Sequence, residues 1–157
     1  MRTVLLAAGT LFLINVTAQS GSVKQGNTAI VPPVVEQKFV LEHPDSKAVW
    51  ETEGSNFRAK FINPVNNLGY ITVYDPQGNI IRREREMETD EVPAKVATYM
   101  QKNTRGQGFV VWSVVDSVGS LSYYSPRPEG TIVFDKSGLP ISEINFLQDT
   151  IVPASAR

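Results

Sequence analysis

The carboxylates Glu51, Glu84, Glu86 and Asp116 are the residues whose type best suits catalysis. Two carboxyl groups held across a cleft can divide acid and base roles in hydrolysis of a glycan or peptide. Nothing in their spacing pairs them locally, so convergence would have to come from the fold. Composition closes most other chemistry. Cys is absent, which removes thiolate nucleophiles, disulfides and Cys-ligated metals, and the single His43 cannot form a His-His zinc site. No phosphate loop, nucleophile elbow or zinc-helix motif occurs, and Asp75-Pro76-Gln77-Gly78-Asn79 lacks the alternating oxygens of a calcium loop. His43 has no Ser or Cys motif beside it, so a capping or partnered ring is expected rather than a catalytic base. No catalytic residue, metal ligand or cofactor is assigned, and recognition becomes the leading reading.

The elements that would position a recognition surface follow from a recurring turn. Val73-Tyr74-Asp75-Pro76-Gln77-Gly78 returns as Val133-Phe134-Asp135-Lys136-Ser137-Gly138, offset by 133 − 73 = 60 residues. Each copy is an apolar strand entering a tight turn with Gly where positive φ is needed. Pro33 and Pro93 are also 60 apart, and Trp50 and Trp112 are 62 apart. Two copies of one supersecondary unit are therefore expected. Pro33 starts a helix that places Val35 and Phe39 on one face and ends before Pro44; Val92-Pro93 starts another, with Val96, Tyr99 and Met100 as its stripe and Asp90 and Glu91 at its positive end. Strands are expected over 47–52, 56–62, 70–74 and 80–87 after the first helix, and over 109–115, 121–125, 131–134 and 141–146 after the second.

In the second strand Phe57, Ala59 and Phe61 alternate with Asn56, Arg58 and Lys60, as in a sheet buried on one side and wet on the other. A type I turn with left-handed Gly78 pairs Asp75 with Asn79, setting Val73 opposite Ile81 and Ile71 opposite Arg83 on the core face. Tyr70, Thr72 and Tyr74 then share the open face with Glu84, Arg82 and Ile80; the offset places Val133 opposite Ile141. Tyr123 and Tyr124 must point to opposite faces. The candidate partner-binding residues are thus Arg58, Lys60, Tyr70, Thr72, Tyr74, Arg82 and Tyr124, the aromatic and cationic mixture that protein interfaces favour. The run Arg82-Arg83-Glu84-Arg85-Glu86-Met87-Glu88 is expected to form cross-strand pairs on a solvated face, and Trp50 and Trp112 to occupy equivalent core positions.

The chain has 157 residues and a net charge of −1 from 15 basic and 16 acidic side chains, which gives no electrostatic footprint for nucleic acid. Residues 1–18 carry Arg2, an apolar run from Val4 to Val16 and a small-residue site ending at Ala18, the pattern of a cleaved signal peptide. No membrane span is expected after cleavage. The remaining divisions are a polar leader over 19–32, a first unit over 33–89, a second over 90–146 and a tail over 147–157.

The sequence resembles the PepSY-like family, related to beta-lactamase-inhibitor-like proteins of the bacterial envelope in Bacteroidetes. The residues that carry the likeness are Phe39 before His43-Pro44, Val49-Trp50-Glu51, Phe57-Arg58-Ala59-Lys60-Phe61, Val73-Tyr74-Asp75 with Gly78, and Glu91-Val92-Pro93. The resemblance implies an α+β fold of two tandem helix-plus-antiparallel-sheet units, which form one curved sheet with the helices on one face. It also implies a non-catalytic exported protein, periplasmic or secreted, that binds another protein through the open sheet face as an inhibitor or regulator of an envelope enzyme. Two departures stand out: the namesake inhibitors contain disulfides and plug their enzyme with an acidic hairpin, whereas this chain has no Cys and no carboxylate in Asn63 to Gly69. Inhibition of a beta-lactamase is not carried over. The alternatives are an envelope hydrolase using the carboxylates above and a small-ligand sensor with a closed pocket between sheet and helices.

Overall fold

A computed structural model describes residues 29–104, 107–145 and 150–152. The expected signal peptide and most of the expected leader and tail lie outside these residues. The order is helix α1 (Pro33–Glu42), strands β1 (Val49–Glu53), β2 (Asn56–Ile62), β3 (Gly69–Tyr74) and β4 (Ile80–Glu86), helix α2 (Ala94–Asn103), then β5 (Trp112–Asp116), β6 (Leu121–Arg127), β7 (Gly130–Phe134), β8 (Pro140–Asn145) and β9 (Thr150–Val152). The strands form one curved antiparallel sheet in chain order, β1 through β9. Both helices cover the same face. Val35 and Phe39 of α1 pack with Ala59, Phe61 and Tyr74, while Val96 and Met100 of α2 pack with Val111, Tyr123, Ile132 and Phe134. The expected α+β architecture is therefore observed.

The two Asp-x-x-Gly turns have the same geometry. The Gly78 N–H donates to the Asp75 carbonyl (3.0 Å) and the Asp75 N–H to the Asn79 carbonyl (2.9 Å), and Gly138, Asp135 and Leu139 repeat this at 2.9 and 2.9 Å. Gly78 and Gly138 adopt φ of 85° and 79°, a region that a Cβ disfavours. Each glycine also lies under the first turn of a helix, Gly78 beneath Val34 and Gly138 beneath Lys95 and Val96. A third such turn, Asp116 to Ser120 with Gly119 at φ 82°, joins β5 to β6 and escaped the sequence reading. The side chain of each turn's first Asp accepts backbone N–H bonds from residues two and four further on.

The register beyond the first turn differs from expectation. Tyr74 pairs with Ile80, but Val73 then pairs with Arg82, Thr72 with Arg83 and Tyr70 with Arg85. Ile81 is the extra residue of a β-bulge, which moves every later residue of β4 by one against β3, so that Arg82 and Glu84 keep the open face expected of them although their partners on β3 change. The second hairpin has the same irregularity: Phe134 pairs with Pro140 and Val133 with Ser142, not with Ile141. The faces of β3 are also the reverse of those expected. Tyr70, Thr72 and Tyr74 lie opposite Phe61, Ala59 and Phe57, on the helix side, while Ile71, Val73 and Val133 turn to the open side. In Tyr70-Ile71-Thr72-Val73-Tyr74 both alternating sets are apolar enough to be buried, so only the partner strand decides which one meets the helix.

The helix ends differ in one detail. His43 closes α1, its N–H donating to the Phe39 carbonyl at 2.8 Å and its ring centroid 4.4 Å from that of Phe61. Asp90 and Glu91 do not serve the α2 dipole as expected. Their segment folds into a separate turn, where Glu91 binds Arg85 and accepts the Glu88 N–H.

Candidate functional site

The face opposite the helices holds a charged lattice that crosses strands distant in sequence. Arg82 on β4 forms a two-bond fork with Glu53 on β1 (2.6 and 2.7 Å) and donates through Nε to Glu84 (2.8 Å). Glu84 also accepts from the Tyr124 hydroxyl on β6 (2.7 Å) and from Arg58 on β2 (3.4 Å). Arg58 reaches Glu51 at 3.6 Å, and Lys60 closes the chain on Glu51 at 2.7 Å. Glu84 is only 3% exposed, so the alternating charge run is not wholly a solvated face, contrary to expectation. Arg58 and Arg82 flank Val73, and Lys60 and Glu84 flank Ile71, in the pairing of β2, β3 and β4. The stems of Arg58, Lys60 and Arg82 roof these two buried apolar residues while their heads stay partly exposed, and the Glu84 carboxylate is buried among them.

Beside the lattice, Trp112 lies opposite Tyr124 with ring planes 11° apart and centroids 6.1 Å apart. Its six-membered ring extends over Gly69 on β3. A Cβ built on that glycine would lie 2.7 Å from Trp112 Cη2 and 3.0 Å from Glu86 Oε2. Gly69 is therefore required by a close approach rather than by its backbone angles. Trp112 does not share the core role of Trp50. Trp50 packs edge-on against Phe39, 5.5 Å between centroids, and the residue that meets α2 in the second half is Val111, 111 − 50 = 61 positions on. One residue of difference carries Trp112 to the open side.

These groups border a depression of about 820 Å³ that runs over β1 to β7, with Val49, Lys60, Ile62, Glu86, Trp112 and Tyr124 among its walls. Of the residues expected at a partner-binding surface, Arg58, Lys60, Arg82 and Tyr124 share the open face. Thr72 and Tyr74 do not: both are buried beneath α1, and Tyr70 stacks on Phe61 on that same side. Burial raises the Tyr74 pKa to about 12, aided by the negative charge of Glu42, with Thr72 and Arg83 pulling the other way. Burial likewise pushes the Tyr124 hydroxyl up, and the bond to Glu84 adds to it. Glu53, Trp112 and Glu86 join the site although the sequence reading did not place them there.

Of the four carboxylates considered for catalysis, Glu51, Glu84 and Glu86 reach the open face. Asp116 stands at its end and is committed to its turn, where the Ser120 N–H holds its carboxyl below the ordinary 3.8. Among the described residues no group of three or more His, Asp or Glu is placed to hold a metal ion, and no helix is long and apolar enough to cross a membrane.

No family model and no curated protein matches the sequence. Solved structures do match. A protein from Bacteroides eggerthii, provisionally described as periplasmic, superposes with a TM-score of 0.60 at 16% identity, covering 76% of this chain and 92% of its own. A DUF2874 family protein from Bacteroides uniformis gives 0.58 at 17% identity over 74% and 91%. A BLIP-like protein from Bacteroides fragilis gives 0.52 at 14% identity over 82% and 96%. The fold is shared with these Bacteroides proteins.

The depressed carboxylates make stability pH-dependent. Asn79, Ser120 and Leu139 hold Asp75, Asp116 and Asp135 below the ordinary 3.8, and Arg82 and Arg85 hold Glu53 and Glu91 below 4.5. Each carboxylate stabilises the fold fully above its unfolded value, and that contribution disappears as pH falls through the lower folded value. His43 is also lowered from 6.5, chiefly by burial against the pull of Glu42, so its contribution begins to fade below 6.5. Urea midpoints should therefore decline gently below pH 6.5 and steeply below 4.5. The triple variant Asp75→Asn, Asp116→Asn, Asp135→Asn should show a shallower acid limb; an unchanged limb would contradict the assignment.

Proposed function

We propose that this chain is an exported, non-catalytic protein-binding module, one of the PepSY-like and inhibitor-like envelope proteins, that engages its partner through the open sheet face. The observation that carries this reading is the depression opposite the helices, in which an aromatic pair lies among exposed apolar residues such as Val49 (67% exposed) and Ile62 (56%). Aromatic anchors ringed by apolar and charged groups are the composition of interface centres. The carboxylates favour the same reading. Both Glu84 oxygens are occupied by donors from its own chain, and Asp116 serves its hairpin, so the hydrolase alternative lacks a free pair. The depression is open on one side, unlike the closed sheet-to-helix pocket a small-ligand sensor would need. Envelope location is supported by the apolar amino-terminal stretch and by the description of the Bacteroides eggerthii protein.

The test is capture from envelope extract, with residues 19–157 as bait beside two folded double variants. Val49→Asp with Ile62→Asp alters the open face, and Val40→Asp with Leu41→Asp alters the exposed side of α1. One dominant protein should be retained by wild type and the α1 variant and lost from the open-face variant. Loss from the α1 variant alone would move the site to the helices.

A further inference from the structure

Glu86 differs from the other open-face carboxylates. Glu51 binds Lys60, Glu53 binds Arg82, and Glu84 lies between Arg58 and Arg82. Among the described residues Glu86 has no cation; its one hydrogen bond is Oε2 accepting the Gly69 N–H at 3.1 Å. The same point on Gly69 is 3.0 Å from that oxygen and 2.7 Å from Trp112 Cη2, so carboxylate and indole lie within 2.7 + 3.0 = 5.7 Å of each other. Both border the depression and both are partly exposed. A carboxylate with spare acceptor capacity beside an indole ring combines the partners a guanidinium or ammonium group seeks, a charge-assisted hydrogen bond and a π face.

We propose that Trp112 and Glu86 form a receptor for a basic side chain, and that the partner inserts an Arg or Lys there. This rests on the protein-binding reading and deepens it by naming the partner's chemistry. Gly69 makes the receptor possible, since any side chain at that position would displace the indole. The lattice beside it is already neutralised by its own cations and does not compete for the incoming charge. An inserted cation therefore meets an unpaired anion instead of having to break an existing pair.

The test uses acetyl-arginine amide as the probe and the Trp112 indole N–H resonance as the reporter, assigned by its loss in Trp112→Phe. Acetyl-citrulline amide has nearly the same shape without the charge. Arginine should shift the resonance saturably, and both the citrulline probe and Glu86→Gln should weaken the response at least about fivefold. The Gln variant keeps an acceptor for the Gly69 N–H, so it preserves the local fold. An immobile resonance, or equal responses to the two probes, would overturn the receptor. Because no envelope protein is involved, failure here leaves the capture result standing, and failure of capture leaves this titration readable.

Discussion

Replacing Glu84 with Ala is expected to cost about 2–4 kcal/mol of folding stability, the largest loss from a single open-face polar residue. The side chain is buried, and its two oxygens accept from Arg82, Arg58 and Tyr124, on three different strands. Truncation leaves the Tyr124 hydroxyl without its acceptor and two guanidinium groups facing one another across the gap. The cost stays below that of a fully buried ion pair because Arg82 retains its fork to Glu53 and both arginines remain about a quarter exposed, at 26% and 24%. Glu84→Gln keeps the shape and some of the hydrogen bonds, and should lose only about half as much. Urea unfolding followed by fluorescence measures all three proteins, and a double-mutant cycle with Tyr124→Phe isolates the Glu84 to Tyr124 bond. A loss under about 1 kcal/mol for the Ala variant would mean that the lattice contributes no more than an exposed pair does.

The second large effect belongs to the turn glycines. Gly138→Ala is expected to cost about 2–4 kcal/mol, Gly78→Ala about 1–2, and Gly54→Ala about 1. All three have positive φ, so backbone strain is common to them. They differ in what a Cβ meets: nothing within 4 Å at Gly54, the Val34 carbonyl at 3.5 Å at Gly78, and Lys95 Cβ and Val96 Cγ2 at 3.2 Å at Gly138. The series separates strain in the turn from displacement of the helix above it. Equal losses at the three positions would mean that helix docking over the turns contributes nothing.

These turns were also the most legible part of the sequence. Asp, Gly and their spacing specify backbone geometry locally, so both copies were found with their hydrogen bonds, and the helices followed from Pro33, Pro93 and the apolar spacing behind them. What failed was any property decided by a partner strand. The faces of β3 depend on Phe57, Ala59 and Phe61 being across from Tyr74, Thr72 and Tyr70. The alternation in β2 fixes these faces only once the β2–β3 register is known. The bulges at Ile81 and Ile141 have no glycine to mark them, and they changed the register without any local signal. Trp112 matches Trp50 in residue type but not in place. Its place opposite Tyr124 makes Val111 the residue beneath α2. For the site, the alternation along β4 did place Arg82 and Glu84 together on the open face. That Glu53, four strands from β4 when both are counted, would reach Arg82 depends on the curvature of the sheet and on long side chains crossing it.

The central claim is that the partner covers the sheet face opposite the helices. Hydroxyl-radical footprinting of the free protein and of its captured complex tests it most directly, because reactive side chains report on both sides of the sheet. Protection on complex formation should be concentrated at Trp112, Tyr124, Val49 and Ile62, with Val40 and Leu41 on α1 labelled as before. Protection at Val40 and Leu41, with Trp112 and Ile62 unchanged, would contradict it.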